Sequence, residues 1–130
     1  MANIVSNVPL YPSTALQTIT ATSGTAATLT LAAPATGLFN YITFLEIVEW
    51  FTAANVALTT PTVITSTNIT GSPAWSVDGQ TGVVGKGNYY VYNYGHPGIK
   101  STANATATTI VAPAVTGIIW RITAGFYVAP

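Results

Sequence analysis

From residue 118 onward the chain alternates. Ile118, Trp120, Ile122, Ala124, Phe126 and Val128 fall on one side, and Ile119, Arg121, Thr123, Gly125 and Tyr127 on the other. A period of two predicts a half-buried strand, because successive strand side chains point to opposite faces. Residues 37–51 read GLFNYITFLEIVEWF. There a period of two separates Tyr41, Thr43, Leu45 and Ile47 from Ile42, Phe44, Glu46, Val48 and Trp50. Apolar residues occupy both sets, so the pattern alone leaves a helix open. Composition decides for strand, since β-branched and aromatic residues dominate and neither end carries a helix cap. One set is expected to fill the interior. The other, with Phe44, Val48 and Trp50, is expected to meet a neighbouring subunit.

The two long strands are preceded by similar phrases. Thr28-Leu29-Thr30-Leu31-Ala32-Ala33-Pro34-Ala35-Thr36-Gly37 is echoed by Thr109-Ile110-Val111-Ala112-Pro113-Ala114-Val115-Thr116-Gly117, and Ile-Thr follows five positions after each glycine. Each copy reads strand, Ala-Pro-Ala corner, glycine, strand. Proline fixes φ and glycine releases it, which suits a sharp corner.

Shorter stretches complete the pattern. Residues 25–31, 62–69, 74–77 and 88–94 read as strands, punctuated by Ser23-Gly24, Thr70-Gly71-Ser72-Pro73, Asp78-Gly79 and Gly95-His96-Pro97-Gly98. About eight strands so spaced predict an all-β fold, an antiparallel β-sandwich or jelly roll. Residues 80–88 are glycine-rich and are read as a mobile loop. No Gly-Lys-Ser/Thr follows Gly82, Gly85 and Gly87, and no helix is expected to supply its N-terminus, so this is no phosphate loop. The sandwich is assigned to residues 18–130. Residues 1–17 stand apart as an extended N-terminal arm, because Pro9 and Pro12 resist incorporation into a sheet. The arm is either a frayed end or a segment docked on another subunit. Ile4, Val5, Val8, Leu10, Tyr11 and Leu16 favour docking, since burying a few such side chains supplies several kcal/mol at about 25 cal/mol per Å2.

Composition narrows the role. The chain of 130 residues carries only three basic and three acidic residues, 5% charged with net charge zero, against about 25% in ordinary domains. Little charge repulsion holds copies apart, so much of the surface is expected to serve permanent protein contacts. Lys86, Lys100 and Arg121 are scattered, which excludes a phosphate-neutralising patch and hence a nucleic-acid partner. No run of about 18 apolar residues predicts a membrane span. The first residues lack the charged and apolar regions of a secretory leader, and there is no cysteine for a disulfide framework. An uncharged β-protein of this kind fits a virus-particle component made in a host cytoplasm.

Candidate chemistry is sparse. His96 is the single histidine and sits in a Gly-His-Pro-Gly loop tip, where it is read as a turn residue rather than a general base. Glu46 and Glu49 take opposite faces of one strand, so they form no local carboxylate pair. Asp78 opens its Asp-Gly turn. No catalytic residue, metal site or cofactor is expected. Tyr90, Tyr92 and Tyr94 share one strand face, with Tyr89 opposite. They are read first as a subunit contact or a half-buried sheet face, and second as a stacking platform for glycans. Asn68-Ile69-Thr70 and Asn104-Ala105-Thr106 match the glycosylation acceptor pattern and are read as accidental in a Thr-rich chain.

Three phrases carry a resemblance. FNYITFLEI at 39–47, TNITGSPAWSV at 67–77 and ATTIVAP at 107–113 resemble short virion proteins of tailed bacteriophages, capsid decoration (cement) proteins in particular. The likeness runs over about residues 25–128. It implies an all-β fold, a homo-oligomer that is most often a trimer, and a place on the outer capsid surface bound to the major capsid protein. The expectation is a structural protein that decorates and stabilises a phage shell. The alternative is a receptor-binding or fibre-tip β-module that holds host-surface glycans.

Overall fold

The computed structural model describes residues 14–54, 60–77 and 82–130. These form β1 (Ala15–Thr20), β2 (Ala27–Leu31), β3 (Phe39–Phe51), β4 (Thr62–Thr67), β5 (Trp75–Val77), β6 (Gly87–Asn93), β7 (Ile99–Lys100), β8 (Thr108–Ala112) and β9 (Ile118–Ala129). A front sheet has the order β1-β9-β3-β6, with β7 also on β3; a back sheet has the order β2-β8-β4-β5. β1 pairs β9, β2 pairs β8, β3 pairs β6 and β4 pairs β5, all antiparallel. Four such pairs, alternating between two sheets, are the wiring of a jelly roll. The all-β antiparallel sandwich expected from the alternation is the fold observed.

Alternation fixes which side chains go inside. The front sheet contributes Ile42, Leu45, Ile47 and Phe51 from β3 and Ile118, Trp120, Ile122 and Ala124 from β9. The back sheet answers with Leu29, Leu31, Ile64, Trp75, Val77 and Ile110. One irregularity breaks strict parity. The β3–β9 register shifts between Ile42 and Phe44, so Thr43 is an extra residue. Ile42 therefore joins Leu45 and Ile47 inside, not Phe44 outside as a period of two requires. A bulge inserts one residue and re-aims those before it. Thr43 is anchored there: its hydroxyl donates to the Gly125 carbonyl (3.1 Å) and its carbonyl accepts from the Tyr94 amide (2.8 Å).

The repeated phrase folds twice into one corner. The Leu38 amide donates to the Ala35 carbonyl (3.0 Å) and the Ile118 amide to the Val115 carbonyl (3.1 Å). Gly37 and Gly117 both have φ +80. A four-residue turn with a left-handed third residue is a type II turn, and glycine adopts that φ without steric cost. Each corner carries the chain from the back sheet to the front. Three residues beyond each glycine an inward side chain ties the corner down. Asn40 Nδ2 donates to the Ala32 carbonyl (3.2 Å), and Trp120 Nε1 donates to the Pro113 carbonyl (2.9 Å).

The boundary of the N-terminal arm moves. Ala15, Leu16 and Gln17, assigned to the arm, are the first residues of β1 and pair with Phe126, Gly125 and Ala124. The physical reason lies in the prolines. They stop at Pro12, and a ladder resumes wherever amide donors are continuous. Ile4, Val5, Val8, Leu10 and Tyr11 lie outside the described residues. Part of the glycine-rich segment is held rather than free. The Phe51 amide donates to the Lys86 carbonyl and the Gly85 amide to the Phe51 carbonyl, both at 2.9 Å.

Candidate interaction surface

The tyrosine face turns inward. On the register Tyr90 lies opposite Ile47 and Tyr92 opposite Leu45, both core residues. Paired residues in an antiparallel ladder share a face, and Tyr90, Tyr92 and Tyr94 accordingly pack against the core. Trp75 crosses from the back sheet to meet them, its indole donating to Tyr94 Oη (2.7 Å) and its ring tilted against Tyr92 at 6.2 Å. Burial pushes the Tyr94 phenol above its ordinary value; the bond from Trp75 opposes this and neighbouring Tyr92 adds to it. Of the two structural readings of these tyrosines, the half-buried sheet face is the one observed, and the outward subunit contact is corrected. The signal was present in the sequence, since the face with three large aromatics buries more area than the one with Tyr89 and Val91.

The outward set is the one left over. The outer face of the front sheet carries Leu16, Thr18 and Thr20 from β1, Ile119, Arg121 and Thr123 from β9, Phe44, Glu46, Val48 and Trp50 from β3, and Tyr89, Val91 and Asn93 from β6. Leu16 is 68% exposed, Tyr89 67%, Val91 63% and Trp50 38%. The three β3 residues expected to meet a neighbour thus lie on one outward face, but not equally. Val48 is only 8% exposed, and Phe44 is half-buried. A Cβ added at Gly125 would lie 2.5 Å from the Phe44 ring, and one added at Gly87 would lie 2.9 Å from the Trp50 ring. Both aromatics therefore pack against glycines of the adjacent strands. The result is a broad surface whose large side chains are mostly apolar.

The back sheet presents the opposite chemistry. Its outer positions are Thr28, Thr30, Thr65, Thr67 and Ser76, all exposed, with Thr109 half-buried and Val63 as its exposed apolar residue. Thr67 and Thr109 join hydroxyl to hydroxyl across the β4–β8 ladder (2.6 Å). Hydroxyls satisfy water, whereas the front face sets large apolar side chains among its polar groups.

Beside the apolar surface stands a stack of rings. Lys100 Nζ lies 3.7 Å from the Phe39 ring centroid and 5.6 Å from that of Tyr41. Tyr41 is stacked on Tyr127 at 5.0 Å and 5°, and His96 leans on Tyr127 at 5.7 Å. Tyr41 Oη donates to the Pro130 carbonyl (2.8 Å) and Tyr127 Oη to the Pro97 carbonyl (2.7 Å). Cation–π and stacking contacts of this kind already cover the rings.

The remaining polar candidates serve the fold. Glu49 is 1% exposed and lies opposite Trp120, whereas Glu46 lies opposite Thr123 on the outer face. Among the described residues no group of three or more His, Cys, Asp or Glu side chains is placed to hold a metal ion. In the two acceptor-like triplets both amides are engaged. Asn68, at φ +53, accepts from the Ala103 amide (2.7 Å) and donates to the Thr106 carbonyl (3.1 Å). Asn104 Oδ1 accepts from the Gly37 amide (3.2 Å), bracing the first corner. Comparison with protein-family models, with curated proteins and with solved structures returns no match to this chain.

Proposed function

We propose that this protein is a structural component of a bacteriophage particle, decorating the outer capsid surface by binding the major capsid protein. The observation that carries the reading is the set of exposed apolar side chains, Leu16, Trp50, Tyr89 and Val91, on the outer face of the front sheet of a chain with six charged residues in 130. Apolar surface of this extent marks a protein contact, and the low charge makes that contact a permanent one. The resemblance of residues 39–47, 67–77 and 107–113 to capsid decoration proteins supports the same role. Jelly rolls serve both viral capsids and lectins. The tyrosines favour the first, since the aromatic set on which glycan binding rested faces the core. Ile4, Val5, Val8, Leu10 and Tyr11 supply the shell contact in this reading.

The test is reconstitution. Purified protein is added to phage shells that lack decoration, followed by co-sedimentation and heat challenge. Saturable binding in hundreds of copies, with a raised temperature of shell disruption, is expected. Deleting residues 2–13 leaves β1 intact and is expected to weaken binding sharply. A protein that binds no shell, or binds a host glycan array instead, refutes the proposal.

A further inference from the structure

We infer that the outer face of the front sheet is a self-interface: two copies pack face to face about a two-fold axis, with Arg121 of each against Glu46 of the other. Three features on this face point to a second copy.

The first is the contrast between the two faces of the sandwich. The outer face of the back sheet is mostly threonine and serine with Val63 and Val111, whereas the front one sets the large apolar side chains Leu16, Trp50, Tyr89 and Val91 among its polar residues. Large exposed apolar side chains gathered on one face and not on the other mark a contact surface.

The second is area. Leu16, Trp50, Tyr89 and Val91 together expose on the order of 400 Å2 of apolar side chain. With Phe44, Ile119 and the polar residues between them, the face offers roughly 800 Å2, one partner's share of a standard stable interface.

The third feature is charge. Two charged residues stand in the middle of the face. Glu46 lies opposite Thr123 and Arg121 opposite Val48, so they are diagonal neighbours across β3 and β9. Lys100 stands at the far end, folded over Phe39 and Tyr41. In an isologous interface residue i meets j and j meets i. A face with one cation and one anion beside its centre is complementary to itself, whereas a face of one sign repels its copy. The axis then passes over Val48 and Thr123. Neither objects to burial, since Val48 is already 8% exposed and the Thr123 hydroxyl is already bonded to that of Thr18 (2.9 Å). No orphan donor is created at the centre. Such an interface closes at two copies, so the trimer implied by the resemblance is not what this face builds. The inference does not depend on the capsid reading; a dimer that binds no shell leaves it standing.

Charge exchange tests it with the full chain. Arg121→Glu and Glu46→Arg each place like charges against each other twice across the axis. Each variant alone is expected to dimerise on the order of 100-fold more weakly than the natural protein, by sedimentation velocity. Mixed in equal amounts they form a heterodimer of natural affinity, identified by its mass in native mass spectrometry, because each altered charge then meets its opposite. Thermal unfolding confirms that both variants are folded, and Val91→Lys, which leaves both charges in place, provides an independent disruption. Thr30→Lys on the back face leaves the dimer unchanged. A natural protein that sediments as a monomer or a trimer at micromolar concentration overturns the inference. So do variants that stay dimeric alone, a mixture that fails to associate, or dissociation by Thr30→Lys.

Discussion

Gly98→Ala is expected to be far more damaging than Gly95→Ala, although both glycines lie three residues apart in one loop and both are left-handed, with φ +84 and +64. Any L-residue in that region costs roughly 1–2 kcal/mol. Gly95 adds nothing to this, since a Cβ there meets no atom within 4 Å. At Gly98 the Cβ falls 2.3 Å from the Ile42 carbonyl oxygen and 2.9 Å from its carbon, where contacts under 3.0 Å force something to shift. What must shift is backbone. Ile42 is where β3 receives β7, through Tyr41↔Lys100 and Ile42↔Ile99, and it immediately precedes the Thr43 bulge. Losing that short ladder removes hydrogen bonds worth about 1 kcal/mol each. Gly98→Ala should therefore cost about 3–4 kcal/mol and Gly95→Ala about 1–2 kcal/mol, a gap of about 2 kcal/mol. Urea unfolding measures both, reading the shift in midpoint at constant m-value. Equal destabilisation by the two substitutions would show that φ alone sets the cost and that the Ile42 carbonyl yields freely.

Other perturbations probe the interior. Tyr94→Phe strands the Trp75 indole N–H in a half-buried site and is expected to cost about 1–3 kcal/mol in the same assay. It should also change the alkaline limb. The Tyr94 phenol titrates higher folded than unfolded, so from about pH 10 upward the native state keeps a proton the unfolded state has lost, and stability falls as pH rises through that window. Below it the group contributes nothing, and Tyr94→Phe should remove its share of the fall. Trp120→Phe loses both the bond to the Pro113 carbonyl and ring volume at a fully buried site, for an expected loss of about 2–4 kcal/mol in thermal or urea unfolding. Asn68→Ala removes the amide that joins the end of β4 to residues 103–108; a loss of about 2–3 kcal/mol is expected, with Asn68→Asp recovering part of it by keeping the acceptor.

Much of the fold was legible because alternation is a local signal. β9 follows its two sets of side chains over twelve residues, and the echoed phrase marked both corners where the chain changes sheets. What escaped was non-local. β1 was missed as a strand because five of its six residues are exposed and its sequence ALQTIT has no clear inner face; only pairing with β9 makes it one. The bulge at Thr43 leaves no mark in composition, so Ile42 was placed on the wrong side. The tyrosine strand had the right parity and the wrong sense. A period of two divides residues into faces without saying which is inside, and for β6 that depends on Leu45 and Ile47 across the ladder. The outward face was glimpsed through Phe44, Val48 and Trp50. Tyr89 and Val91 were not, and Leu16 only as part of the arm, since they come to it from strands far apart in the chain.

The central position of β9 has a consequence for how the chain is made. Synthesis runs from residue 1, yet the strand that joins β1 to β3 spans Ile118–Ala129. Until it leaves the ribosome, the six residues of β1 have no neighbour and the thirteen of β3 have an open edge. The back sheet waits for β8, since β2 and β4 are joined only through it. Only the pairs β3–β6, β3–β7 and β4–β5 can form before these two strands emerge. Contacts so distant in sequence form slowly, and unpaired strands with little charge invite the wrong partners meanwhile. A ribosome stalled before residue 118 therefore holds every strand of the back sheet but a front sheet that cannot close, and the sandwich is completed only around β9.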